Sequence, residues 1–205
     1  MRTTLLLILF AGLVGCAGTS TRSPGEDPET VEVRARLSLG GCEPQLAEQI
    51  LRLDDPGLEQ EAAFQCLQQG QLATVERLLS GYQERHDAAP NTDYSVYLLA
   101  LTDFARFELA EGDAAEQLRA GRRAHDGLVV FVRSYPESVY RAEVAPRLKT
   151  LHEGMARAEY RLALGDIEKG RRETGASRLR YVAREYPRSA AATDARRWLE
   201  QRLMP

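Results

Sequence analysis

Lysine is nearly missing from this 205-residue chain. Only Lys149 and Lys169 occur, so arginine supplies almost all of the 27 basic side chains. Isoleucine is scarce, and aromatic residues make up 7% of the sequence. No long run of β-branched residues occurs, which argues against an all-β or doubly wound α/β fold. Positive charge is not in excess: the net charge of −3 argues against a polyanion-binding protein. The three histidines, His86, His125 and His152, lie far apart with no second ligand at i+4, so a surface or cap role is expected for them rather than metal binding. Gly40-Gly41 and Gly112 fit no phosphate loop, and Asp54-Asp55 reads as a turn. Ser138 and Ser189 follow Tyr-Pro pairs and read as N-caps rather than nucleophiles. No catalytic residue, metal site, small-molecule substrate or dissociable cofactor is expected. Abundant Ala, Leu, Arg, Glu and Gln are helix formers and point to an all-α chain.

The N-terminus points to a compartment. Met1-Arg2 precede an apolar run from Leu5 to Val14, which is shorter than the ~20 residues of a membrane-spanning helix. It reads as the apolar core of an export signal spanning residues 1–15. Leu13-Val14-Gly15-Cys16 matches the lipobox of bacterial lipoproteins. That resemblance implies cleavage after Gly15 and a covalent lipid on Cys16. Two acyl chains already suffice for stable anchoring. Ala17, rather than Asp, follows the cysteine, and in a Gram-negative host this implies the periplasmic side of the outer membrane. Nucleic acid is then excluded by compartment. Residues 16–41, polar and holding Pro and Gly, read as a flexible tether with a mean reach of roughly 25–30 Å. In this oxidising space the remaining pair, Cys42 and Cys66, either forms a disulfide across a helical hairpin or stays as two small buried thiols.

From residue 44 the apolar period is helical. Leu46, Ile50 and Leu53 share a face; Leu72, Val75, Leu78, Leu79 and Tyr82 form another stripe. Leu148, Leu151, Met155, Ala158 and Leu162 step 3, 4, 3, 4, the strongest amphipathic signal in the chain, and should be core. Eight or nine antiparallel helices with short connections are expected over residues 42–205. Val132-Arg133-Ser134-Tyr135-Pro136-Glu137-Ser138 and Ala183-Arg184-Glu185-Tyr186-Pro187-Arg188-Ser189 close two of them alike. Such a closure recurs in 34-residue tetratricopeptide (TPR) repeats. With Pro187 at repeat position 32, Ala163 and Gly175 fall where small residues are needed, and Leu179 and Val182 fall where apolar ones are. The fold class expected is a TPR-like α-solenoid.

The segment Pro90-Asn91-Thr92-Asp93-Tyr94-Ser95-Val96-Tyr97 resembles the Pro-Asn-x-Asp-Tyr-Ala-x-Tyr segment of BamD-type lipoproteins, the YfiO family. The likeness continues through Tyr135 to Tyr140, Arg147-Leu148, Glu159-Tyr160, Ala163, Lys169-Gly170, Arg178 and Tyr186-Pro187, and covers about residues 58–200. It implies a scaffold of the β-barrel assembly machinery, with periplasmic domains of the BamA type and other machinery components as partners. Family members usually carry more TPR sequence ahead of this region, so the substrate-handling repeats are expected to be missing or reduced to the Cys42 hairpin. Gly165 and Gly175 stand where the pattern has bulkier or helix-favouring residues. The rival expectation is another periplasmic TPR adaptor, either pilotin-like for a secretin or a division coordinator of the CpoB kind.

Charge is unevenly distributed. Residues 17–140 carry a net −10 and residues 141–205 a net +6. Arg171, Arg172, Arg178, Arg180, Arg184, Arg188, Arg196 and Arg197 are either a solvated surface with helical partners or an electrostatic dock for an acidic partner domain. By the family resemblance, the C-terminal repeats are where BamA-type domains bind.

Overall fold

The computed structural model describes residues 27–203, which form ten α-helices and one 3₁₀ helix, with no strand among the described residues. In chain order these are α1 (Pro28–Ser38), α2 (Pro44–Leu53), α3 (Pro56–Gln68), α4 (Leu72–Leu79), α5 (Tyr82–Arg85), α6 (Thr92–Leu109) and α7 (Ala114–Ser134). The 3₁₀ helix (Val139–Glu143), α8 (Val144–Glu168), α9 (Arg172–Glu185) and α10 (Ala190–Leu203) follow. The all-α, TPR-like class expected from the sequence is what the chain adopts.

Local chemistry sets the helix ends. Pro28, Pro44 and Pro56 open the first three helices, where a missing N–H costs nothing and φ is already helical. Asp55 and Asp113 accept two backbone N–H groups each at the starts of α3 and α7. Ser189 Oγ accepts from Ala192 N–H at 3.0 Å at the start of α10. Asn91 sits before α6 in a left-handed conformation, φ 58°, and makes no side-chain cap bond, unlike the N-cap that Asn91-Thr92-Asp93 suggests.

Two expectations are corrected. Residues 28–38, placed in the tether, form α1 and bury Thr30, Val33 and Leu37. Their steps of 3 and 4 are helical, but a threonine stands among three buried positions and charged neighbours surround them. Arg34 Nε meets Glu61 on α3 at 3.1 Å and Arg36 reaches Gln49 on α2 at 3.0 Å, so α1 is fastened to the body. Cys16 and the rest of residues 16–26 lie outside the described residues, as does the export signal. The stripe from Leu72 to Tyr82 is not one helix. It breaks at Gly81, where φ is 66°, and Tyr82 restarts as α5 with its hydroxyl donating to Pro56 O at 3.2 Å.

Two apolar clusters make the core. One gathers Val33, Leu37, Leu46, Ile50, Leu58, Val75, Leu78, Leu79 and Tyr82 with Cys42 and Cys66, which are joined by a disulfide with a Cα–Cα distance of 5.6 Å. The other gathers Tyr97, Phe107, Leu128, Phe131, Leu151, Met155, Leu179 and Val182. Helix α6 belongs to both: Leu98 faces the first, Tyr97 the second, and Tyr94 packs against each. Leu151 and Met155 are buried, while Leu148 and Leu162 pack at the edge.

Helices α8 and α9 cross as a TPR pair should. A Cβ on Gly175 would lie 2.5 Å from Ile167 Cγ1 and 2.7 Å from Ala163 O, so the small residues at these two repeat positions let the backbones touch. Gly154 serves a neighbouring contact, since a Cβ there would meet Phe107 Cζ at 2.3 Å. Nothing in the structure explains Gly165, which faces open space.

Candidate functional site

The two motifs that carry the family resemblance meet in space. Asp93, at the start of α6, accepts a hydrogen bond from Ser138 Oγ at 2.6 Å, and the same Ser138 oxygen accepts Tyr140 N–H as cap of the 3₁₀ helix. The Tyr140 ring stacks on both Tyr94 and Tyr97, with centroids 5.0 Å away in each case. Tyr94 and Tyr97 are one turn apart on α6, so a single inserted ring can reach both. The Tyr97 hydroxyl donates to Glu143 Oε2 at 2.8 Å, and Arg147 Nη1 lies 2.9 Å from the same oxygen. Burial, above all, holds the Tyr97 phenol protonated well beyond its ordinary range. The Tyr97 bond, ahead of Arg147, draws the Glu143 carboxyl below the usual carboxylate value. Phe64, Tyr94, Tyr140, Tyr97, Phe131 and Tyr135 form an unbroken chain of ring contacts from α3 to the end of α7. The motif is therefore a joint that fixes one helix pair on the next.

The C-terminal arginines do not form one free patch. Glu159, only 3% exposed, takes Arg122 on one oxygen and Arg178 on the other, both at 2.9 Å. Arg178 Nε also donates to Asp166 Oδ2 at 2.9 Å, and Arg171 reaches Asp166 Oδ1 at 2.5 Å. Arg171 and Arg178 thus tie α9 to α8, and Arg122 ties α7 to the same Glu159. Arg180 pairs with Glu173 at 3.1 Å, Arg184 with Glu185 at 2.6 Å, and Arg197 with Asp194 at 3.1 Å. Arg196 donates weakly to Pro187 O at 3.4 Å. Of the eight, Arg172, Arg188 and Arg196 have no acidic partner among the described residues. What the sequence reading missed was the pair of acids, Glu159 and Asp166, that takes up Arg171 and Arg178.

The histidines divide. His125 is exposed beside Asp126, and His152 lies edge-on to Tyr186, with centroids 5.0 Å away. His86 is buried rather than on the surface: its Nε2 is 2.9 Å from Glu59 Oε1, whose other oxygen meets Arg85 at 2.6 Å. Among the described residues no group of three His, Cys, Asp or Glu side chains is placed to hold a metal. Among them, too, no helix is long and apolar enough to cross a membrane.

Two grooves flank α8. One, of about 630 Å³, runs between α6 and α8 over Phe107, Pro146 and Gly154, with Glu108, Glu111 and Arg157 on its rim. The other, of about 710 Å³, lies between α8 and the α9–α10 turn, against Leu148, His152 and Arg188. Lys149 and Glu153 line both, so the two meet along that row of α8.

Stacked helix pairs, the close backbone crossing of Gly175 on Ala163, and a Tyr-Pro turn locked to the start of α6 define an all-α protein of the TPR-like class. The chain belongs to the YfiO family, described as outer membrane lipoprotein, which matches residues 58–202.

Proposed function

We propose that the protein is a BamD-type scaffold. It is anchored through a lipid on Cys16 to the periplasmic side of the outer membrane, and it holds partner proteins during assembly of β-barrel outer membrane proteins. The observation that carries this reading is the family match over α3 to α10. It is supported by the way the family's motif residues, Asp93, Tyr94, Tyr97, Ser138 and Tyr140, lock together as one structural joint. The scaffold acts by contact and needs no catalytic group, metal or small-molecule substrate. Its partners are proteins, BamA-type periplasmic domains among them.

Residues 17–27 are all that separate Cys16 from α1. Eleven residues span at most about 40 Å, so the helical body is held near the leaflet that carries the lipid. The disulfide between Cys42 and Cys66 suits an oxidising compartment and staples the turn before α2 to the end of α3. The arginines left for partner contact are Arg172, Arg188 and Arg196, with the surface pairs of Arg180, Arg184 and Arg197, while Arg171 and Arg178 hold helices in place.

The test is co-purification from crosslinked outer membranes, with mass spectrometry of the lipidated N-terminal peptide. Recovery of barrel-assembly components together with acylated Cys16 supports the scaffold. Recovery of secretin or division proteins instead would replace it with the adaptor reading, and an unmodified Cys16 would remove the anchor.

A further inference from the structure

The groove between α8 and the α9–α10 turn carries charge that the molecule itself does not answer. Lys149 and Arg188 are exposed on its rim and have no acidic partner among the described residues. Arg171, Arg178, Arg180, Arg184 and Arg197 pair with carboxylates, and of the cations that do not, Lys149 and Arg188 share this one groove. Glu153 is the only acid in the lining, and it is already used: its Oε1 accepts Ala190 N–H at 3.1 Å, at the positive end of α10. The walls are otherwise apolar, formed by Leu148 and by the His152 ring held edge-on to Tyr186. At about 710 Å³ the space is within the range of pockets that enclose several side chains. The adjoining groove prolongs it across Pro146, Gly154 and Phe107, where the rim carries Glu108 and a Glu111 that lies 3.8 Å from Arg157.

We propose that this groove receives an extended acidic segment of a protein partner, with a carboxylate held between Lys149 and Arg188 and an apolar side chain against Leu148 and His152. The inference rests on the scaffold reading above and deepens it by naming the surface and the chemistry of what it holds. Charge complementarity selects the acid, because a guanidinium fork grips a carboxylate through two parallel N–H bonds. The recess, with half-buried Leu148 and His152 on its wall, suits a single extended chain better than a flat surface such as a bilayer. Glu108, which has no cationic partner among the described residues, sets polarity: the segment's carboxylates lie toward Arg188, and its neutral or basic end toward Phe107.

The probe is a fluorescent peptide of alternating Asp and Leu, with Asn in place of Asp as its neutral counterpart, measured by anisotropy on the mature full-length protein. The acidic peptide binds and the neutral one does not. Lys149→Glu with Arg188→Glu weakens binding at least about tenfold, about 1.4 kcal/mol. Arg172→Glu, in the separate groove lined by Ile167, Ala176 and Trp198, changes it less than about twofold, under 0.5 kcal/mol. Should the double reversal fail to fold by circular dichroism, Lys149→Gln with Arg188→Gln serves and shows the same loss. Equal binding of the neutral peptide, equal loss with Arg172→Glu, or a preference for phosphatidylglycerol vesicles over the peptide overturns the proposal. The scaffold reading stands or falls separately: peptide binding with no assembly component recovered from membranes leaves the groove and sinks the scaffold. Recovery of those components with no peptide binding does the reverse.

Discussion

Each half of the molecule buries one glutamate, and the two are satisfied in different ways. Glu59 on α3 meets Arg85 and His86, adjacent residues at the end of α5, with Arg85 also donating to Leu78 O at 2.7 Å. Glu159 on α8 meets Arg122 from α7 and Arg178 from α9, and Arg178 continues to Asp166. The first arrangement joins α3 to the end of α5, across α4, and a disulfide joins the turn before α2 to the end of α3. The second is a ladder that sets three successive helices against each other. Removing one partner of a buried pair is costly because the other charge is left without compensation. In the N-terminal half such damage falls on two helices, α3 and α5, whereas in the C-terminal half it falls on three successive ones, α7, α8 and α9. A repeat array gains its stability from interfaces between neighbours, and a short N-terminal unit without a full set of neighbours needs covalent help.

The sharpest way to break this contrast is in the C-terminal core. Leu151 is fully buried between α7, α8 and their neighbours, so Leu151→Ala should cost about 2–5 kcal/mol in urea unfolding. A loss below about 0.5 kcal/mol would mean that the stack does not depend on this layer. Next in size is the disulfide. Replacing both Cys42 and Cys66 by Ala reopens a loop with a sequence separation of 24. The expected cost is about 3 kcal/mol. Hydrogen exchange should then show lost protection in α1 to α4 and unchanged protection in α8 and α9. Equal losses in both halves would show that they unfold as one unit and would erase the distinction.

The same contrast explains what could be read from sequence. The C-terminal half announces itself through the 3–4 stepping of Leu148 to Leu162, the paired Tyr-Pro closures, and the small residues Ala163 and Gly175. Each is local, and the geometry it demands is the geometry found. The N-terminal half hides α1, because Thr30, Val33 and Leu37 are too few and too mixed to stand out from a charged stretch with Pro28 at its head. The arginines mislead for another reason. Helical spacing reveals partners three or four residues away, but Glu159 and Arg178 are 19 apart, and Asp166 and Arg178 are 12 apart. Only the α8–α9 turn brings them together. Lys149, His152 and Arg188 share a groove for the same reason and carry no sequence signal in common.

Where the halves join, a smaller effect is expected. Tyr140 contributes two stacked contacts, to Tyr94 and Tyr97, and each aromatic pair is worth about 0.5–1.5 kcal/mol beyond its buried area. Tyr140→Leu keeps much of the apolar volume, so thermal unfolding should report a loss of about 1–3 kcal/mol. Ser138→Ala, which deletes the hydrogen bond to Asp93, should cost about 1 kcal/mol. Were the two changes made together to cost no more than either alone, the turn and the rings would be acting as one unit.

The smallest effect concerns pH and the end of the ladder. The Arg171 hydrogen bond, ahead of that from Arg178, holds the Asp166 carboxyl below its ordinary value of 3.8, against the opposing pull of burial. The folded state therefore favours the charged form more than the unfolded chain does. The stability this adds is complete above about pH 3.8 and is lost as pH falls through the lower folded value. Asp166→Asn removes that charge at every pH. The variant should be slightly less stable at neutral pH, and its stability should fall less steeply below pH 3.8 than the parent's. Acid titration of the two proteins, followed by circular dichroism, separates the outcomes. Parallel acid limbs would mean that Glu159 alone carries the tie between α8 and α9, and that the ladder ends one rung earlier.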